Sequence, residues 1–274
     1  MKKLLVTGGA GILGRALAER GIKGWHLRSL ALSHPPDYPA QVERNDGDIC
    51  DPDALRRAVA GCDAVLHLAC RYADAIGFEE TLDVNYRATL DLMEASVQAG
   101  VSHVVFASSN HVQGFHPRRN APLSEGDALR PDGWYAVSKI WGEAVMALYA
   151  DARGMTTTSL RIGSSCAKVM DERQFHMWLG FDDFVELVRI AIERPGPGHV
   201  ALNAVGDCEG AFFDNSRAKA LGYAPRQNPR AHLADPAVPD TAPAPDIFGR
   251  SLGGAFARAN FRADLDIWEK GGAA

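Results

Sequence analysis

The sequence is short of several things, and each shortage closes off a class of protein. No apolar run comes near the roughly 20 residues that a membrane-spanning helix needs, so a helical membrane protein is not expected. The apolar stretch behind the N-terminal Met-Lys-Lys is only Leu4–Val6, too short for a secretory signal, and a cytoplasmic setting is expected. The five cysteines (Cys50, Cys62, Cys70, Cys166 and Cys208) form no C-x-x-C and show no zinc spacing. They read as reduced, mostly structural thiols, with no metal site. Positive charge is not in excess: 29 Lys and Arg against 34 Asp and Glu leave a net charge of −5. That gives no general basic field for nucleic acid or an anionic membrane. An anionic small molecule would need local cations of its own.

What is present is alternation. Lys3–Thr7 reads as a short buried strand, Gly8–Gly14 as a glycine turn and Ile12–Arg20 as a helix. A second strand follows at Trp25–Leu30, then a helix through Ala60 with Asp51 as N-cap and Pro52 at its first position. Ala64–Leu68 is the next strand, Glu79–Ala99 a long helix, Val101–Ala107 a strand, Trp134–Ala150 a helix and Thr156–Ile162 a strand. This order predicts an α/β fold, a Rossmann-type doubly wound parallel sheet. Regularity fails near residue 163. Phe181–Glu193 still reads as a helix, closed by Pro195-Gly-Pro-Gly198, and the proline-rich stretch 225–246 reads as a surface arm. The expected organisation is a dinucleotide-binding domain over 1–163 and a small, irregular substrate-side lobe and arm over 164–274, packed as one unit.

The turn TGGAGILG carries Gly8-x-x-Gly11-x-x-Gly14 between a strand and a helix. Glycine there permits a tight turn, close approach of backbone to a pyrophosphate, and close helix packing. The helix start then offers N–H groups to the phosphates. A lone glycine fingerprint is weak, but its place at the head of a β/α chain makes a dinucleotide site the expectation. In that setting the stretch GWYAVSK gains meaning. Tyr135 and Lys139, four apart, lie on one helix face. Spacing alone is common by chance. Removing hydride from an alcohol, however, needs a proton acceptor, and tyrosine with a pKa of about 10 is a poor one unless a nearby cation lowers it. Lys139 is expected to do so. The carboxyl end of the strand before them carries Ser108 and Ser109; Ser109 is the first choice to orient the reacting oxygen and Ser108 the second.

TGGAGILG, HLA (His67–Ala69), VNYRATLDLMEA, VVFASSN and YAVSK resemble, in order and spacing, the extended short-chain dehydrogenase/reductases, over roughly residues 3–223. The resemblance implies catalysis by Ser109, Tyr135 and Lys139. It implies cofactor contacts at Gly8, Gly11, Ile12, Leu13, Gly14, Asp48, Ile49, Leu68, Ala69 and Asn85, besides Tyr135 and Lys139. NAD is the expected cofactor, with NADP left open. FASSNH, RPDGWYAVSK, LRIGS, GFDDFVELV and FFDNSRAKALGY narrow the resemblance to the uronate dehydrogenases of that superfamily. These oxidise the C1 hydroxyl of cyclic galacturonate or glucuronate to an aldarolactone with NAD. Arg173 then falls on the position that grips the uronate carboxylate, with Ser109, Asn110, His111, Tyr135, Ser164 and Phe256 around the sugar. Pairing of the long helices in a homo-oligomer is also implied.

From the residues alone, Arg173 in DERQFH is a solvated charge, His67 and His111 are structural histidines, and Asn85 bonds within its helix region. The sequence also departs from the pattern twice. ACRYAD sets Arg71 and Tyr72 where relatives carry small residues and a serine. WHLRSLALSH ends the second strand with Ala31 where an acidic residue usually holds the adenine ribose. Discrimination against a 2′-phosphate is therefore expected to be weak, with Arg28 or Ser33 available to receive it. Two other functions stay open: a nucleotide-sugar epimerase or dehydratase with bound NAD, and a non-catalytic dinucleotide-sensing regulator.

Overall fold

The computed structural model describes residues 1–271. Seven strands form one sheet: β1 (Lys2–Thr7), β2 (Trp25–Ala31), β3 (Glu43–Asp46), β4 (Ala64–His67), β5 (His103–Ser109), β6 (Thr156–Ile162) and β7 (Gly198–Ala204). Their order is β3-β2-β1-β4-β5-β6-β7, and every pairing is parallel. Thr7 stands level with Leu30 on one side and His67 on the other, so β1, β2 and β4 end together. The strand order reverses between β1 and β4, and in such sheets the crevice beyond the carboxyl ends at that point takes the ligand.

The helices that matter are α1 (Ile12–Arg20), α2 (Pro52–Val59), α3 (Phe78–Thr81), α4 (Ala88–Gln98), α5 (Trp134–Arg153), α6 (Glu172–Phe175) and α7 (Phe181–Glu193). Side chains alternate across the sheet. Leu4, Val6, Leu66 and Val105 face α1 and α7, while Leu5, Val65, Val104 and Phe106 face α2, α4 and α5. A sheet covered on both faces explains why its inner strands read as unbroken apolar runs. Asp51 caps α2 by accepting from Asp53 N, with Pro52 at the first turn.

Three elements differ from the reading of the sequence. The helix expected over 79–99 is interrupted: α3 passes into a π-helical segment, Leu82–Arg87, before α4 begins. The wider turn carries Asn85, buried and tied to Arg71 and Ser138. π-segments of this kind often mark functional ground. β3 was not anticipated, because ERND is a half-exposed, charged edge strand. Finally, β7 carries the sheet past residue 163. Gly198–Ala204 is buried only in its second half, which hid it among prolines and glycines. The 225–246 stretch holds only short turns at Pro229–His232 and Val238–Asp240, with Val238 anchored among Val169, Phe175 and Trp178. No helix among the described residues is long and apolar enough to cross a membrane.

Candidate active site

A cavity of about 940 Å³ opens over the carboxyl ends of β1, β2, β4, β5 and β6. One end is built from backbone. Gly8 has a φ of 67°, and a Cβ there would lie 2.8 Å from Ala69 N. Its N–H donates to Leu30 O at 2.8 Å, and Gly11 N–H donates to Gly8 O at 3.0 Å. A Cβ on Gly14 would collide with the backbone of Gly9, so α1 can start this close to β1 only with glycine. Ile12 and Leu13 line the cavity at the head of α1, Ile12 with 66% of its surface open. Asp48, Ile49, Leu68 and Ala69 form the neighbouring wall. A bare turn, a helix start and an uncovered apolar residue fit a dinucleotide.

Asn85, expected at the cofactor, and Arg28, offered for a 2′-phosphate, do not line this wall. Asn85 lies behind it: Oδ1 accepts from Arg71 N at 2.7 Å, and Nδ2 donates to Arg71 O at 2.9 Å and Ser138 Oγ at 3.0 Å. It grips the loop after β4. Arg28 is turned away too, donating to Glu43 Oε1 at 2.8 Å and to the carbonyls of Ala58 and Ala60, both at 2.7 Å. It cannot receive a 2′-phosphate. Ala31, Leu32 and Ser33 line that corner.

The other end is built from side chains. α5 lies close on β5 because Gly142 leaves room for the Phe106 ring. Tyr135 and Lys139 both face the cavity. Lys139 is buried, with Nζ 4.9 Å from the Phe106 ring centre and 5.4 Å from that of Tyr135. Among the described residues it forms no ion pair. The expected lowering of the tyrosine is not what the structure shows. Burial holds the Tyr135 phenol well above its ordinary value, with Cys70 adding to this and a hydrogen bond from Ser109 opposing it. The ammonium lies close to both rings.

The two serines are held differently. Ser108 Oγ donates to Glu143 Oε1 at 2.5 Å, and Glu143 pairs with Arg161 at 2.8 Å, so Ser108 is committed to the core. Ser109 caps the turn Asn110–Gln113, accepting from His111 N at 3.2 Å, and reaches Tyr135. His67 bonds to Thr7 and Thr89 at 2.7 and 2.9 Å, and burial drops its pKa to about 3: it is a neutral core histidine.

Arg173 is half-buried on the cavity wall, not a fully solvated charge. It sits on α6 with Nε donating to Leu252 O at 2.6 Å, and burial lowers its pKa to about 10. Gly254 packs on the guanidinium; a Cβ there would be 2.7 Å from its Nε. Asn110, its amide oriented to satisfy both neighbours, donates to Ile162 O at 3.1 Å and accepts from Arg173 Nη2 at 3.2 Å. His111 Nδ1 bonds Asp132 Oδ2 at 2.6 Å, and its ring lies 4.0 Å from that of Phe256. Ser164 also lines this end. Tyr72 stands at the mouth, its ring 6.0 Å from that of Tyr135. Sequence reasoning missed Asp132 and Cys70. Asp132 is inside RPDGWYAVSK, but no periodicity marks a loop aspartate as wholly buried.

A phosphate-fitting glycine turn facing a serine, a tyrosine and a lysine defines a dinucleotide-dependent enzyme of the short-chain dehydrogenase/reductase type. The chain belongs to the NAD dependent epimerase/dehydratase family, which it matches over residues 4–180. It is similar to the uronate dehydrogenase of Pseudomonas putida, 36% identical over 264 residues covering 94% of this chain and 96% of that protein. It is also similar to the L-arabinose 1-dehydrogenase (NAD(P)(+)) of Haloferax volcanii, 31% identical over 257 residues, 83% of this chain and 98% of the other. Among solved structures, a mutant uronate dehydrogenase from Agrobacterium tumefaciens complexed with NAD matches with a TM-score of 0.83 and 34% identity, covering 94% of this chain and 97% of that one.

Proposed function

We propose that this protein oxidises the C1 hydroxyl of a hexuronate, of the galacturonate or glucuronate kind, to the aldarolactone with NAD. The observation that carries the reading is Arg173: a half-buried guanidinium on the wall of the cavity that also holds Tyr135, in a chain with net negative charge. A guanidinium fork holds a carboxylate through two parallel charge-assisted bonds. Similarity to uronate dehydrogenases along nearly the whole chain supports the same substrate class.

When bound, NAD supplies the hydride acceptor at C1 and a positively charged ring. Ser109 holds the C1 oxygen. The Tyr135 phenolate would take its proton as the C1–H bond breaks, leaving the ring ester and a neutral phenol. Lys139 is the buried cation that favours this phenolate. In the free protein burial keeps the phenol protonated, so its own proton must first leave to solvent, a step that awaits added positive charge. Gly8, Gly11, Gly14 and the head of α1 would take the pyrophosphate, and Asp48 the adenine end. Exposed Leu90 and Leu148 on α4 and α5 support pairing of these helices in a homo-oligomer, and the five free cysteines support a cytoplasmic setting.

The test is NADH formation with galacturonate, glucuronate and the matching neutral aldoses. Turnover of at least one acid, well ahead of its neutral aldose, is expected. No NADH from any sugar acid, together with interconversion of a UDP- or GDP-sugar, would replace this reading with that of an epimerase.

A further inference from the structure

We propose that Asp132 is a positioning residue: it fixes the ring of His111 so that Nε2 faces the sugar pocket without a proton and accepts a hydrogen bond from a substrate hydroxyl. Nothing in the outline of the reaction requires such a residue, and the inference rests on the sugar-acid reading only for the identity of the hydroxyl's owner.

The geometry is specific. Asp132 is wholly buried in the loop before α5, and its Oδ2 meets His111 Nδ1 at 2.6 Å. Its Oδ1 has no partner among the described residues, so the carboxylate makes its close contact with this histidine. A carboxylate buried with so few partners is costly, and a purely structural residue at this place would be better replaced by an apolar one. The surrounding chain is cut to fit it. A Cβ on Gly114 or on Gly253 would collide with Oδ2, and these glycines come from segments far apart in sequence. Phe256 closes on the ring of His111, its centre 4.0 Å away, which leaves the imidazole little freedom to turn. Arg173 feels the carboxylate's charge, so the aspartate is partly offset by the cation assigned to the substrate.

The chemical consequence follows from the two nitrogens. A neutral imidazole carries one N–H, and the partner of one nitrogen decides the role of the other. An ionised carboxylate can only accept, so with Asp132 in that form and a neutral ring Nδ1 keeps the proton and Nε2 is left as an acceptor. His111 lines the cavity, and among the described residues Nε2 has no protein partner. Beside the donating guanidinium of Arg173, the pocket thus gains at His111 a ring nitrogen that only accepts. It recognises a hydroxyl at the acceptor and discriminates against a carbonyl or a missing oxygen there.

The experiment has two arms. Long-range proton–nitrogen correlation on ¹⁵N-histidine-labelled free enzyme, with H111Q to assign the signal, reads the tautomer directly. The Nδ1–H form is expected in the native protein, and the opposite form or a mixture in D132N. An Nε2-protonated ring in the native protein, neutral or cationic, overturns the proposal without any variant and whatever the substrate proves to be. The second arm is a kinetic cycle on the acid turned over best. D132N and H111Q should each lower kcat/KM by roughly 10- to 100-fold, as expected when a buried polar partner is lost. The double variant should be no worse than H111Q, and NAD affinity should be unchanged throughout. Independent, multiplying losses in the double variant would show that Asp132 does not act through His111 and would overturn it.

Discussion

The two ends of the cavity are built on different plans. The cofactor end is made by a few residues close in sequence, Gly8 to Gly14, with neighbours after β2, β3 and β4, and its contacts are largely backbone. The sugar end is assembled from distant segments: Ser109 to His111, Asp132, Tyr135, Ser164, Arg173 and Leu252 to Phe256. Its contacts are side chains held by other side chains. A backbone cradle depends on shape and tolerates changes of side chain outside it. A side-chain network sets specificity and loses much of it when one member changes. The two ends should therefore fail separately.

The largest effect is expected where the ends meet. Tyr135→Phe should lower kcat by about 10²–10⁴-fold, the usual cost of losing a general base, with NAD titration by fluorescence unchanged. Near-normal turnover would remove Tyr135 from the chemistry, and loss of NAD binding would break the separation of the ends. Arg173→Lys comes next. It should lower kcat/KM on the sugar acid by roughly ten- to a few hundredfold, from lost charged hydrogen bonds, and change the neutral aldose far less. Equal losses on both substrates would mean that Arg173 holds the pocket's shape and not a carboxylate.

The core under the cofactor end gives a pH test. His67 has a folded pKa of about 3 against an ordinary 6.5. The unfolded chain therefore binds the extra proton first, and stability falls as pH drops from 6.5 toward 3. Between pH 7 and 5 this one group should cost about 2 kcal/mol in urea unfolding. His67→Gln should flatten that slope; an unchanged slope would show that His67 is not what the acid limb reports. The smallest effect concerns the corner of Ala31. Leu32, 76% exposed on the cavity wall, replaced by Arg should raise kcat/KM with NADP by roughly tenfold through a charge-assisted bond and leave sugar-acid selectivity alone. No change with NADP would place the 2′-position elsewhere.

The same contrast decides what could be read from residues. β1, the glycine turn, α1 and the cap of α2 were legible because each is set by local pattern: an apolar run, glycine spacing, Asp51-Pro52. The meeting of Ser109, Tyr135 and Lys139 at one cavity was legible from spacing once the turn gave it a context. Arg173 was not, since DERQFH looks like any charged surface, and only resemblance pointed to it. Asp132 escaped because its meaning lies in partners that no local pattern brings together. Asn85 was expected at the cofactor, and its hold on Arg71 and Ser138 depends on a π-segment that no local pattern announced. β3 and β7 escaped because edge strands bury too little to leave a clear alternation.

The grip of Asn85 on Arg71 has one more consequence. Both of its bonds to Arg71 are to main-chain atoms, N–H and C=O. Such a grip is indifferent to which side chain stands there. The loop Cys70–Tyr72 can exchange its side chains by point mutation while its path stays put. It is an interchangeable bit on a fixed shank, and the place where selection for a new sugar meets the least resistance from the fold.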